Sequence, residues 1–235
     1  MSQIQENSLL KIAGIAAFTT AFTTFLLWWL PQQYAPPSNF EEQIQLAQNP
    51  YYLARLWVNF VHIPLALMGY LGLAYVVQHK ALLRATAGFS WFLIWGTIEM
   101  LGIAGIIFTV NKNWRVNYTA AAETEQPFIK AHIEYYMAVW DSQFFVLLIA
   151  FLLGTIFFGW ATWKSKGLER VVSYLFWLAA PLTIFIILSG YFQVNWLGGL
   201  VGVIYPILQP VSRLLLGIFL WRKATSVSSE EVNTI

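Results

Sequence analysis

Six stretches of mostly apolar residues recur along the chain, at about 12–30, 56–77, 89–110, 138–163, 171–192 and 200–221. Each approaches or exceeds the roughly 20 residues a helix needs to cross the hydrocarbon core of a bilayer. Lipid offers the backbone no hydrogen bonds, so such a stretch must satisfy its own N–H and C=O groups, and a helix does so. The fold class expected is all-α: a polytopic membrane helix bundle of six transmembrane helices, forming a single domain over 1–235. Composition removes the alternative of buried helices in a soluble protein. The hydrophobic share is 58% and the charged share 10%, against about 25% charged residues in soluble domains. Too little polar surface remains to solvate a globule, which excludes a soluble enzyme, a disordered chain and a nucleic-acid binder. With no cysteine, disulfides, thiolate ligands, iron–sulfur clusters and catalytic thiols are excluded as well.

The first stretch reads as a retained anchor. Its apolar run is long for a signal peptide, and its exit through Pro31, Gln32 and Gln33 offers no small-x-small cleavage site. Orientation follows from the basic residues. One side holds Lys11, Lys80, Arg84, Lys164, Lys166, Arg170, Arg222 and Lys223, eight in all, and the other holds Arg55, Lys112, Arg115 and Lys130, four in all. Both termini are therefore expected in the cytoplasm. Trp28, Trp29, Tyr51, Trp57, Trp114, Tyr135 and Trp196 fall at the outer interface and Trp160, Trp163 and Trp221 at the inner one, as aromatic belts do.

Outer loops 1 and 3 are expected to be partly helical. Ser38-Asn39-Phe40-Glu41 fits a capping box, with Ser38 as the cap. A short helix should follow, placing Phe40, Ile44 and Ala47 on one face before Pro50. In loop 3, Pro127 suits a first helical position, and a helix from about Phe128 would run into the fourth span.

Polar side chains at bilayer depth must face the bundle interior, and ionisable ones there are functional candidates. Glu99 lies mid-span in Trp95-Gly96-Thr97-Ile98-Glu99-Met100-Leu101-Gly102, where Gly102 should let a neighbouring helix approach. Arg213 in the last span is its natural ionic partner, with Gln209 one turn before. Asn59, His62, Ala66, Gly69 and Leu73 follow 3-4-3-4 spacing and should form an interior stripe. Tyr205-Pro206 and Gln209-Pro210 free backbone groups in the last span. The candidate ligand-binding set is thus Glu99, Arg213, Gln209, His62, Asn59 and Tyr205. Should the protein be catalytic, His62 and Asp141, the latter near the outer mouth of span four, are the acid–base candidates.

Metal and cofactor chemistry finds little support. Every lysine lies at a predicted span end or in a loop, so a retinal Schiff base has no amine. His79 belongs to the inner side, while His62 and His132 belong to the outer half. Those two with Asp141 or Glu134 are a weak candidate metal set, and His62 with His132 a weaker haem pair. No cofactor is expected. No Walker loop, dinucleotide fingerprint, nucleophile elbow or zincin helix occurs.

Three stretches carry a resemblance. Leu10-Lys11-Ile12-Ala13-Gly14, the acid-bearing Trp95-to-Gly102 run and Pro206-Ile207-Leu208-Gln209 resemble the bacterial six-helix membrane family known as domain of unknown function 4386. Where that family tends to read Gln-Glu in its last span, this chain has Gln209-Pro210, so the second acid is missing. The resemblance implies a multi-pass protein of the bacterial inner membrane and brings no established activity.

The function expected first is binding or transport of a small amphiphilic or lipid-like ligand at the intrabundle polar cluster, with the lipid bilayer as surroundings and no nucleic acid. The alternatives are an intramembrane enzyme acting on a lipid or quinone, toward which the sequence leans less, and an accessory subunit docked on another membrane protein.

Overall fold

The computed structural model describes residues 3–194 and 198–232, with side chains for 5–194, 199 and 202–225; Trp196 lies outside them. Among the described residues the regular secondary structure is all helical, with no strand. Five helices are long and apolar enough to cross a membrane, namely Gln5–Gln33, Pro50–Ala120, Gln126–Thr162, Gly167–Phe192 and Gly202–Thr225. The protein is therefore membrane-like by helix length and hydropathy.

Helix α1 (Gln3–Trp29) passes into a 3₁₀ turn, Leu30–Gln33, where Pro31 can no longer donate to the helical ladder. The short α2 (Phe40–Gln45) follows, then a 3₁₀ turn at Leu46–Gln48. The helix before Pro50 exists, but its cap is one residue later than expected. Asn39, not Ser38, is the N-cap: its Oδ1 accepts from the Glu42 N–H at 2.8 Å. Glu42, rather than Glu41, reaches back to accept from the Ser38 N–H and hydroxyl at 2.8 and 2.9 Å. The amide side chain reaches its donor from an extended backbone, as an N-cap requires.

Helix α3 runs from Pro50 to Gly105. Asn49 caps it, its Oδ1 accepting from the N–H groups of Tyr51 and Tyr52, both at 3.0 Å. The inner loop expected between 77 and 89 is absent. Helix continues through it, and only Ala81 leaves helical geometry, with φ −154° and ψ 57°. The two limbs fold back on each other there. Asn59 meets Glu99, Gly96 lies against Ile63 and Leu67, and the Tyr70 and Phe92 rings stack at 3.7 Å. Paired residues thus stand at nearly equal distances from Ala81, as antiparallel limbs must.

The expected outer loop 3 is also mostly helix. A π-helical stretch, Ile106–Trp114, extends α3, and α4 (Arg115–Ala120) completes it. The wide turn is direct in the Arg115 N–H, which donates to the Val110 carbonyl five residues back. Helix α5 (Gln126–Thr162) has Pro127 in its first turn, followed by α6 (Gly167–Phe192) and α7 (Gly198–Val232).

The helices close into a ring in the order α1, α3, α5, α6, α7 and back to α1. Small residues let α1 seat deeply: Gly14 against the backbone of Gly217 and Trp221, and Ala17 and Ala13 against Gly69 and Gly72. Without a hydrophobic driving force in lipid, such close approach is what makes helix–helix packing favourable. Inside the ring, Tyr70, Phe92, Phe158 and Phe176 form a compact cluster, every pair of centroids lying between 3.7 and 6.4 Å apart. These rings, from both α3 limbs, α5 and α6, fill the core beside the site, with Tyr70, Phe92 and Phe158 within 21° of parallel and Phe176 tilted against them.

Candidate ligand-binding site

Six side chains singled out by depth and polarity, Asn59, His62, Glu99, Tyr205, Gln209 and Arg213, line one cavity of about 310 Å³. Trp95, Phe144, Leu147, Leu148 and Phe151 supply apolar wall, and Thr24, Leu27 and Trp28 of α1 complete it. A few convergent polar groups in a largely apolar, open cavity are the usual make-up of a small-molecule site.

The stripe on the first α3 limb faces inward as its spacing implies, with His62, Ala66, Gly69 and Leu73 buried. On α7, Tyr205, Gln209 and Arg213 repeat every fourth residue, so one face carries all three. Pro206 and Pro210 lie inside that helix; having no N–H, they leave the carbonyls of Gly202 and Pro206 without their usual donor. Pro206 itself lines the cavity.

The expected Glu99–Arg213 ion pair is not formed. Among the described residues the ion pairs are Lys80–Glu169 and Lys130–Glu134. Each member of the expected pair is anchored elsewhere. The Asn59 amide donates to Glu99 Oε1 at 2.9 Å, while the Arg213 guanidinium lies 4.5 Å over the Tyr70 ring. Asn59 and Tyr70 are eleven residues apart on one limb, about 16 Å of helical rise, so the two anchors hold acid and base at different depths. Arg213 is 5% exposed and takes its compensation from the face of an aromatic ring.

His62 is buried, its Nδ1 2.7 Å from the Thr23 hydroxyl on α1. That hydroxyl also faces the Thr19 and Thr20 carbonyls at 3.2 and 3.3 Å. It has one proton, so either His62 donates to it or the carbonyls lose their donor. Beyond Arg213 and Gln209 a second void of about 20 Å³ continues to Thr155 and Tyr70, a size that suits one water molecule. The Thr155 hydroxyl beside it is buried without a protein partner.

Asp141 and His132 do not join this site. Asp141 is exposed, and its backbone carbonyl accepts from the Tyr191 hydroxyl at 2.9 Å. His132 packs against Trp114, ring centroids 5.6 Å apart, with Nδ1 2.7 Å from the Phe128 carbonyl. Among the described residues no three His, Asp or Glu side chains come together as a metal group, so the set of His62, His132 and Asp141 is not assembled. Gly102 does admit a neighbour, but a side chain rather than a helix backbone: the Trp140 ring covers it, and the Tyr136 hydroxyl donates to its carbonyl at 3.0 Å.

Two participants, and one buried cation outside the cavity, escape a depth-and-charge reading. Thr23 is signalled only by the Thr19-Thr20…Thr23-Thr24 pattern in the first stretch. Tyr70 looks like one more membrane aromatic. Arg115, counted with the outer loop, is 2% exposed; its guanidinium donates to Asn111 Oδ1 at 2.7 Å and to the Tyr52 hydroxyl at 3.2 Å. The Arg115 Nε and the Asn111 amide nitrogen are buried without partners. No protein-family model matches the chain, and no curated protein or solved structure matches it either.

Proposed function

We propose that the chain is a six-span protein of the bacterial inner membrane, both termini cytoplasmic, that binds or transports a small amphiphilic or lipid-like molecule in the cavity between α1, α3, α5 and α7. The antiparallel limbs of α3 support counting it as two spans. The likeness to the uncharacterised bacterial family rests on its three sequence stretches.

The observation that carries the ligand reading is the separation of Glu99 from Arg213. A structural ion pair would close on itself, because two unscreened opposite charges in an apolar setting attract strongly. Here each is held by its own anchor, and both face the same open, aromatic-walled cavity. An amphiphile would set an acceptor on Arg213 and Gln209, a donor on Glu99, and its apolar part along Trp95 and Phe151.

Native mass spectrometry of the detergent-purified protein, with analysis of its organic extract, tests this. The wild type is expected to carry a bound small molecule that Glu99→Gln loses while melting at nearly the wild-type temperature, since Gln can still accept from Asn59. An identical extract from wild type and variant would refute the assignment of Glu99.

A second reading uses the same cavity for acid–base chemistry on a lipid or quinone. Its support is that His62, oriented by Thr23, and Glu99 line one cavity. It requires conversion of the bound molecule by the wild type and not by His62→Gln.

A further inference from the structure

A second concave region, at the end of the ring bearing the Ala81 turn, is built from cations on three separate parts of the chain. Lys80 and Arg84 flank the turn, Lys164 and Lys166 lie between α5 and α6, and Lys223 lies near the end of α7; all line one cavity of about 460 Å³. An adjoining cavity of about 290 Å³ shares Lys166, Glu169 and Lys223 and adds Arg222. Glu169 is the one acid in either lining, and its carboxylate is already engaged. Lys80 Nζ reaches both oxygens, at 2.9 and 3.2 Å, and the Ser165 hydroxyl donates to one of them. Glu169 therefore neutralises Lys80, and Arg84, Lys164 and Lys166 leave a positive excess around the same space.

The backbone adds to it. Helix α6 opens with Lys166 as its cap residue and no side-chain cap, so its first N–H groups keep their partial positive charge. At Gly167 φ is +60°, and nothing lies within 4 Å of where a Cβ would stand. The Arg84 guanidinium is held 4.3 Å over Trp160, which fixes one cation in place. Beside the cations the surface turns apolar: Leu83 is 83% exposed, and Leu82, Trp160 and Trp163 are exposed with it.

We infer that this basic cavity is a binding site for a phosphate-type anion, with the headgroup of an anionic phospholipid as the source that the flanking Leu82, Leu83, Trp160 and Trp163 favour. A phosphate offers several acceptor oxygens, enough for Lys164, Lys166 and the first turn of α6 together. The same chemistry would accept a free phosphate ion, and the two sources differ in whether the neighbouring apolar surface is used. Basic pockets between membrane helices are known to hold anionic headgroups in this manner.

The test is thermal melting of the full chain in neutral detergent, titrated with phosphatidylglycerol, phosphatidylcholine or inorganic phosphate. Phosphatidylglycerol is expected to raise the melting temperature saturably and phosphatidylcholine to leave it unchanged. Lys164→Gln/Lys166→Gln, which changes two exposed side chains, is expected to bind phosphatidylglycerol about 25-fold more weakly, roughly fivefold per lysine. Its melting temperature without lipid should stay near that of the wild type. Stabilisation by inorganic phosphate equal to that by phosphatidylglycerol, and lost in the same variant, would support the anion site and assign it to a soluble phosphate. Equal stabilisation by phosphatidylcholine, or an unchanged affinity in the double variant, would overturn the inference. The Glu99 cavity takes no part in these readouts.

Discussion

Tyr70 is the residue on which the buried guanidinium most depends. Arg213 has no carboxylate within ion-pair distance, and its compensation comes from the Tyr70 ring 4.5 Å away. A desolvated cation–π contact contributes about 2 kcal/mol. The same ring stacks on Phe92 at 3.7 Å and 10°, which contributes about 1 kcal/mol more. Tyr70→Leu removes both, so a loss of about 3 kcal/mol is expected. For a chain of this size each kcal/mol moves the melting temperature by about 2–4 °C, giving a drop of about 6–12 °C. Tyr70→Phe keeps the ring face and the stack, and removes only a hydroxyl; it should stay within about 1 kcal/mol of the wild type. Melting curves in one detergent, followed by tryptophan fluorescence, distinguish the two variants. Should Tyr70→Phe melt as low as Tyr70→Leu, the hydroxyl and not the ring face supports Arg213, and the reasoning fails.

The Lys80–Glu169 pair should respond asymmetrically. Lys80→Met strands a carboxylate whose side chain is 6% exposed and should cost about 2 kcal/mol, whereas Glu169→Gln releases a lysine already 56% exposed and should cost less; equal losses in chemical denaturation would contradict this. At the cap of α2, the Ser38 N–H and hydroxyl hold the Glu42 carboxyl below its ordinary 4.5. A depressed acid contributes its stability in full above the unfolded value and loses it as pH falls through the folded one. Amide protection over 38–48, the exchange rate divided into its intrinsic value at each pH, should therefore be constant above about pH 4.5 and fall on further acidification, and Glu42→Gln should remove that fall.

The membrane character and the lining of the site were legible because lipid forbids most alternatives. An apolar run of twenty residues has to be helical there, and Asn59, Glu99, Gln209 and Arg213 have to turn away from hydrocarbon. What each one touches was not legible, since that depends on how far each helix is rotated and shifted along its axis. Glu99 and Arg213 share the cavity yet bond to Asn59 and stack on Tyr70. Ala81 carries no signal either: the turn occurs without a proline or glycine at that position. Arg115 reads as loop because a charge follows an apolar stretch, whereas the helix reaches it through the π-helical segment Ile106–Trp114 and runs on beyond it as α4. The cap shifted from Ser38 to Asn39 because both side chains can cap, and the sequence does not rank them.

The turn at Ala81 confines the change of direction between the α3 limbs to one residue's torsions. Asn59 and Glu99 stand 22 and 18 residues from it, lever arms of about 33 and 27 Å. Over such a length a rotation of about 2° displaces the tip by about 1 Å. The 2.9 Å contact between Asn59 and Glu99 therefore relies on what lies between it and the turn: the Tyr70–Phe92 stack, and Gly96 seated against Ile63 and Leu67, hold the two limbs to that angle.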